Sequence, residues 1–186
     1  NFDRDIHVKK AKELSSYIWW GCDFNVSAMT AVLACQYTDG TIHYFNEIVL
    51  KNSNTEEMAR KMKAIESNIE VYPDPAGSAR STTSNRSDHH ILRDYGFLIR
   101  AKKAHPSHID RLNALNRKLL DAEGNVTMTI DPKCKYLIKD LEQVQRDKKG
   151  GIDKSNMELT HSLDACSYAI SYKFPVISRA STTMKW

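Results

Sequence analysis

The sequence has no phosphate-binding loop. Its seven glycines stand at 21, 40, 77, 96, 124, 150 and 151, and none completes GxxxxGK[ST] or GxGxxG. The chain itself therefore carries neither a P-loop ATPase nor a dinucleotide site. No serine sits in a GxSxG elbow, which weakens a Ser/His/Asp hydrolase. There is no CxxC. Cys22, Cys35, Cys134 and Cys166 are widely scattered, as expected of reduced thiols in a cytosolic protein without structural zinc. No apolar run approaches the ~18–20 residues that span a bilayer. Residues 1–13 are charged where a signal peptide would be apolar. Internal repeats and low-complexity tracts are absent. What remains is 186 residues, 41% hydrophobic and 27% charged, the proportions of one globular domain. The first residue is not methionine, so a fragment of a longer chain is expected.

The net charge is only +4, but it is unevenly placed. Residues 93–118 carry seven basic side chains against two acidic ones, and residues 133–154 seven against four. Two basic segments on an otherwise acidic chain suggest a polyanion-binding face, although a solvated helix surface has the same composition.

Hydrophobic patterning predicts the order of elements. Residues 17–24 form a continuous apolar run, as in a strand buried on both faces. Residues 28–37 and 41–50, joined through Thr38-Asp39-Gly40, complete an antiparallel meander. A helix capped by Asn54 or Thr55 follows, then a short strand over 69–72 that stops at Pro73-Asp74-Pro75. A Ser/Thr/Asn-rich loop (78–87) leads to a short helix over 88–95 and a strand over 97–101. A long amphipathic helix opens at Pro106 and ends at Gly124. A strand over 126–130, a helix over 133–145 and a last helix over 158–172 complete the pattern. The fold class is α/β, one central mixed sheet flanked by helices. Residues 1–14 read as a polar linker and 173–186 as a tail.

The carboxylates carry the chemistry. Asp23 ends the first apolar strand, where a charge is costly unless paired or bound to metal. Asp74 sits between two prolines just past the fourth strand. Asp164 lies in the last helix at the edge of its apolar ridge. Each also has a plain structural reading: a strand-ending residue, a turn residue and a partner of His161 or a lysine. If the three converge, their mutual repulsion calls for divalent cations, and two such ions can drive phosphodiester cleavage. Asp131, at a strand end, is a reserve fourth acid. His89, His90, His105 and His108 read mainly as capping or surface groups, His161 as a possible support for Asp164, and Trp19 and Trp20 as core.

GCDFNV (21–26), YPDPAGSA (72–79) and THSLDACSYAISY (160–172) resemble the C-terminal nuclease domain of the large terminase subunit of tailed bacteriophages, a member of the RNase H-like superfamily. The resemblance covers about residues 15–172. It implies an RNase H-like fold and a metal-dependent endonuclease that cuts double-stranded viral DNA during genome packaging. It implies that Asp23, Asp74 and Asp164 are catalytic metal ligands for two Mg²⁺ or Mn²⁺ ions, Asp23 and Asp74 sharing one and Asp164 holding the second with Asp23. Residues 1–14 would then be the linker from an ATPase domain. The full-length protein would meet the small terminase subunit and the portal in the host-cell cytoplasm, with no membrane partner. The basic segments supply candidate DNA contacts: Lys102, Lys103, Arg111, Arg117 and Lys118, and then Lys148 and Lys149. The last two belong to a basic hairpin expected over 144–154, with Gly150-Gly151 at its tip, gating the cleft. The alternatives are a Holliday-junction resolvase or RNase H-type nuclease, and an RNase H-like module that binds nucleic acid without cutting.

Overall fold

Trp19 and Trp20 are neighbours in sequence and face opposite ways. Trp19 packs into one apolar cluster with Val32, Tyr44, Leu115 and Leu163, and Trp20 into another with Leu33, Met58, Met62 and Leu92. Alternate residues of a strand point to opposite faces, so helices cover both sides of the sheet and the strand's sequence becomes a continuous apolar run. A computed structural model describes residues 1–11, 13–79, 86–145, 147, 148, 151–153, 155, 156 and 159–176.

Strands β1 (Ile18–Asp23), β2 (Met29–Gln36) and β3 (Ile42–Leu50) form the antiparallel meander. Strands β4 (Glu70–Pro73) and β5 (Leu98–Ile99) add in parallel beyond β1, and β6 (Met128–Ile130) adds in parallel beyond β3. The order across the mixed sheet is β5-β4-β1-β2-β3-β6. Helices α2 (Thr55–Ile65) and α3 (Asp88–Asp94) cover one face. Helices α4 (His108–Leu119), α5 (Lys135–Gln143) and α6 (His161–Lys173) cover the other. All four cysteines are buried and free.

Three of these helices start on local caps: the side chains of Asn54, Ser87 and Ser107 accept from N–H groups in the first turns of α2, α3 and α4. The starts of α5 and α6 have no such cap. Instead the Glu47 carboxylate of β3 accepts from the N–H groups of Tyr136 and Leu137. The Asp140 carboxylate of α5 in turn accepts from the N–H groups of Ser162 and Leu163. Thr160, which enters α6, is held at φ 93°, a strained backbone for a β-branched residue. The far end of α6 is pinned by Lys173, whose ammonium lies 4.4, 4.3 and 5.0 Å from the ring centroids of Tyr17, Trp19 and Tyr72.

Several boundaries differ from the sequence expectation. The fifth strand keeps only two residues, because β4 offers it a short partner at the sheet edge. Helix α4 ends at Leu119, where Leu120 turns extended; Gly124, at φ 84°, serves the turn that follows. The first residues are structured rather than a plain linker. Arg4–His7 form α1, the His7 Nε2 lies 2.9 Å from the Leu119 carbonyl oxygen, and Val8 bridges to Ile130.

Candidate active site

Strands β1 and β4 run parallel, with Cys22 opposite Pro73. The Asp74 N–H donates to the Cys22 carbonyl at 2.9 Å and carries the pairing one step further. Asp23 and Asp74 therefore leave neighbouring strands at the same sheet edge. Asp74 then caps the 3-10 turn Pro75–Ser78, its side chain accepting from the Ala76 N–H. Its backbone carbonyl is held 2.8 Å from the Nε2 of buried His89. Burial pushes the His89 imidazole below its usual range, as for any cation removed from water. Gly77 is required here: a Cβ would lie 2.3 Å from the Phe24 ring and 2.9 Å from that of His89.

Helix α6 brings the third acid. It crosses β1 where Gly21 has no side chain, and sets Asp164 beside the strand's carboxyl end. Asp23, Asp74 and Asp164 all line one cavity of about 220 Å³, with Phe24, Asn25, Asn156, Thr160 and His161. Asp23 is 8% exposed and Asp164 3%. Burial raises the Asp23 carboxyl above the usual range; a hydrogen bond from His161 opposes this, and the charges of Asp164 and Asp74 add to it.

Each acid already has a basic partner. Nδ1 of His161 lies 3.0 Å from Oδ2 of Asp23, and Nδ1 of His105 lies 3.4 Å from Oδ1 of Asp74. Nη1 of Arg111 lies 3.0 Å from Oδ1 of Asp164. Among the described residues no three His, Cys, Asp or Glu side chains are drawn together tightly enough to hold an ion. The acids share a cavity without sharing one point, each lying against its own basic partner. A second cavity, about 260 Å³, adjoins through His161 and is lined by Ser27, Lys51, Tyr136 and Lys139.

By sequence, no family model and no curated protein matches the chain. By structure, it is similar to the nuclease domain of the P22 large terminase: TM-score 0.72 at 17% identity, over 94% of this chain and 91% of that one. It is also similar to the large terminase nuclease domain of bacteriophage SPP1, solved with bound Mn: TM-score 0.60 at 17% identity, over 90% and 97%. The fold is that of a large terminase nuclease domain.

On this terminase-nuclease fold the remaining sequence candidates separate. His161, expected beside Asp164, pairs with Asp23, its ring reaching across to the end of β1. Asp131 is excluded as a fourth acid. It follows β6, three strand spacings or about 14 Å from β1, and it caps its own turn at Lys133. Trp19 and Trp20 are fully buried core.

The basic candidates also divide. Arg111 is only 1% exposed, so it cannot be the phosphate contact expected of it. Lys102 and Lys103 are exposed on the loop that delivers His105 to Asp74. Arg117 and Lys118 close α4 at its other end, and Lys118 lies 4.1 Å from the Phe174 ring. That places them roughly 14 Å along α6 from Asp164. Lys148 is exposed, while Lys149 and Gly150 fall outside the described residues. Of the expected hairpin, the pairings of Asp153 N–H with the Gln145 carbonyl and Asp147 N–H with the Gly151 carbonyl are present, and Ile152 is anchored in the core. Sequence reasoning missed Glu47, Asp140, Lys51 and Lys139, and gave His105 no link to Asp74. A carboxylate among Leu137, Ile138 and Leu141 was the available signal for Asp140.

Proposed function

We propose that this chain is a divalent-metal-dependent endonuclease that cuts double-stranded DNA during packaging of a viral genome. The observation that carries this reading is the convergence of Asp23, Asp74 and Asp164 on one cavity of a terminase-nuclease fold. The donor set suits Mg²⁺ or Mn²⁺: three carboxylates offer the hard oxygen ligands such ions prefer, and Asp23 bears the repulsion of the other two. The Mn bound by the SPP1 domain supports the same class of metal. Asp23 and Asp74, on adjacent strand ends, would hold the ion with Asp164 beside them. When bound, a divalent ion lowers the pKa of water and offsets charge at a phosphate.

The chain's own groups position the rest. His161 engages Oδ2 of Asp23, while Oδ1 makes no hydrogen bond among the described residues. His89 and Pro75 hold the Asp74 backbone. Lys51 and Lys139 on one side, and Lys102 and Lys103 on the other, are placed to take backbone phosphates flanking the cavity. Such contacts are independent of sequence, as a packaging nuclease requires. By the same reading an ATPase domain precedes these residues, and the small terminase subunit and portal are partners of the full-length protein in the host-cell cytoplasm.

The test is nicking of a supercoiled plasmid with Mg²⁺ or Mn²⁺, against a chelator control and Asp23→Asn. Metal-dependent nicking lost in the variant is expected. Equal nicking by both proteins, or none by the wild type, would remove this reading.

A further inference from the structure

The three basic partners of the acids are not alike. His105 is 57% exposed at its side chain and can turn out into solvent. Arg111 cannot. Its guanidinium is charged at every working pH. It is 1% exposed and packed 4.0 Å over the Tyr168 ring, with Nη1 donating to Oγ of Ser167 at 3.1 Å. Its Nε makes no hydrogen bond among the described residues, and Asp164 is its only acidic partner there. A buried cation with one carboxylate is held by that carboxylate, since losing it would strand the charge away from water.

We propose that Arg111 acts as a fixed positive charge within the acid cavity, so that the DNA-free site takes one divalent ion and not two. The inference rests on the nuclease reading and concerns how that site is filled. Three carboxylates carry three negative charges, and Arg111 permanently offsets one of them. The remainder matches a single divalent cation. With that ion in place the cavity is neutral, and a second would leave it net positive until a phosphodiester brought its own negative charge. The ion binds between Asp23 and Asp74, while Asp164 stays with Arg111 and completes the site from the α6 side. Arg111 is thus a positioning residue: it acts through Asp164 and touches no substrate.

Mn²⁺ titration of the 186-residue chain without DNA tests this, by calorimetry and by the paramagnetic signal of free Mn²⁺. The wild type should bind one ion. Arg111→Met, of similar length and no charge, should bind two, or bind the first at least about tenfold more tightly. Arg111→Lys keeps the charge and should bind one ion as the wild type does. Circular dichroism would verify folding, and Arg111→Met combined with Asp164→Asn, which strands no charge, should melt at a higher temperature than Arg111→Met alone. Two ions on the wild type would overturn the inference and leave the nuclease reading intact; this measurement stands even if Arg111→Met does not fold. Unchanged stoichiometry and affinity in folded Arg111→Met would also overturn it. No ion on the wild type, together with no nicking, would remove both.

Discussion

A Cβ added to Gly21 would stand 2.3 Å from the carbonyl oxygen of Ala165. The neighbour is backbone and cannot swing aside, so β1 and α6 can approach this closely only where the strand carries a glycine. Asp23 lies two residues beyond this contact and Asp164 one residue before it. Gly21→Ala should therefore cost about 1–3 kcal/mol in urea unfolding, the usual range for overpacking. It should also lower metal-dependent nicking by pushing the two acids apart. Wild-type stability with wild-type nicking would show that α6 is not held where described.

Asp140 satisfies two N–H groups at the start of α6 from a different helix. Asp140→Ala leaves them buried and unpaired, and should cost about 1–3 kcal/mol. Asp140→Asn keeps one acceptor oxygen and should lose less. Chemical denaturation of the two variants gives the order; an alanine variant as stable as the wild type would deny the cap any role.

The contribution of Asp23 to metal-free stability should fall as pH rises. The folded protein holds the Asp23 proton more tightly than the unfolded chain does, because its carboxyl is raised mainly by burial. That contribution is fully present below the ordinary carboxyl value of ~3.9 and is lost as pH climbs through the raised folded value. In a chelator, Asp23→Asn should melt above the wild type at pH 7 and with it at pH 4. Adding Mn²⁺ should raise the wild-type melting temperature and leave the variant nearly still. Parallel wild-type and variant curves across the pH range would contradict this.

DNA affinity should depend on Lys51, Lys139, Lys102 and Lys103, and hardly on Arg117 and Lys118. Each phosphate contact removed should flatten the log–log salt dependence by roughly 0.9. Fluorescence anisotropy with a duplex oligonucleotide at several salt concentrations measures it. A larger effect from Arg117→Ala/Lys118→Ala would move the duplex to the far end of α6.

Much of this arrangement is legible in the chain. Trp19 and Trp20 alternate between faces within an unbroken apolar run, so β1 reads as central. Asp23 and Asp74 stand out because charge follows a buried strand in each case. Legibility fails where the partner is remote. Nothing near Asp140 announces that it serves residues 162 and 163, and Glu47 is 89 and 90 residues from the amides it receives. The four-residue α1 is too short for periodicity to show. At Arg111 two signals conflict: its charge suggests a surface contact, whereas its spacing, one helical turn before buried Leu115, puts it on the packed side of α4.

The position of Asp164 has a consequence for synthesis of the protein. Asp23 and Asp74 sit on strands made early, whereas α6 is the last helix described and its cap awaits Asp140 on the helix before it. A chain emerging from the ribosome therefore carries two of its acids long before the third can dock. Under the proposed nuclease reading, a nascent or prematurely terminated polypeptide lacks the complete acid cluster until residues 161–173 have been made and folded into place.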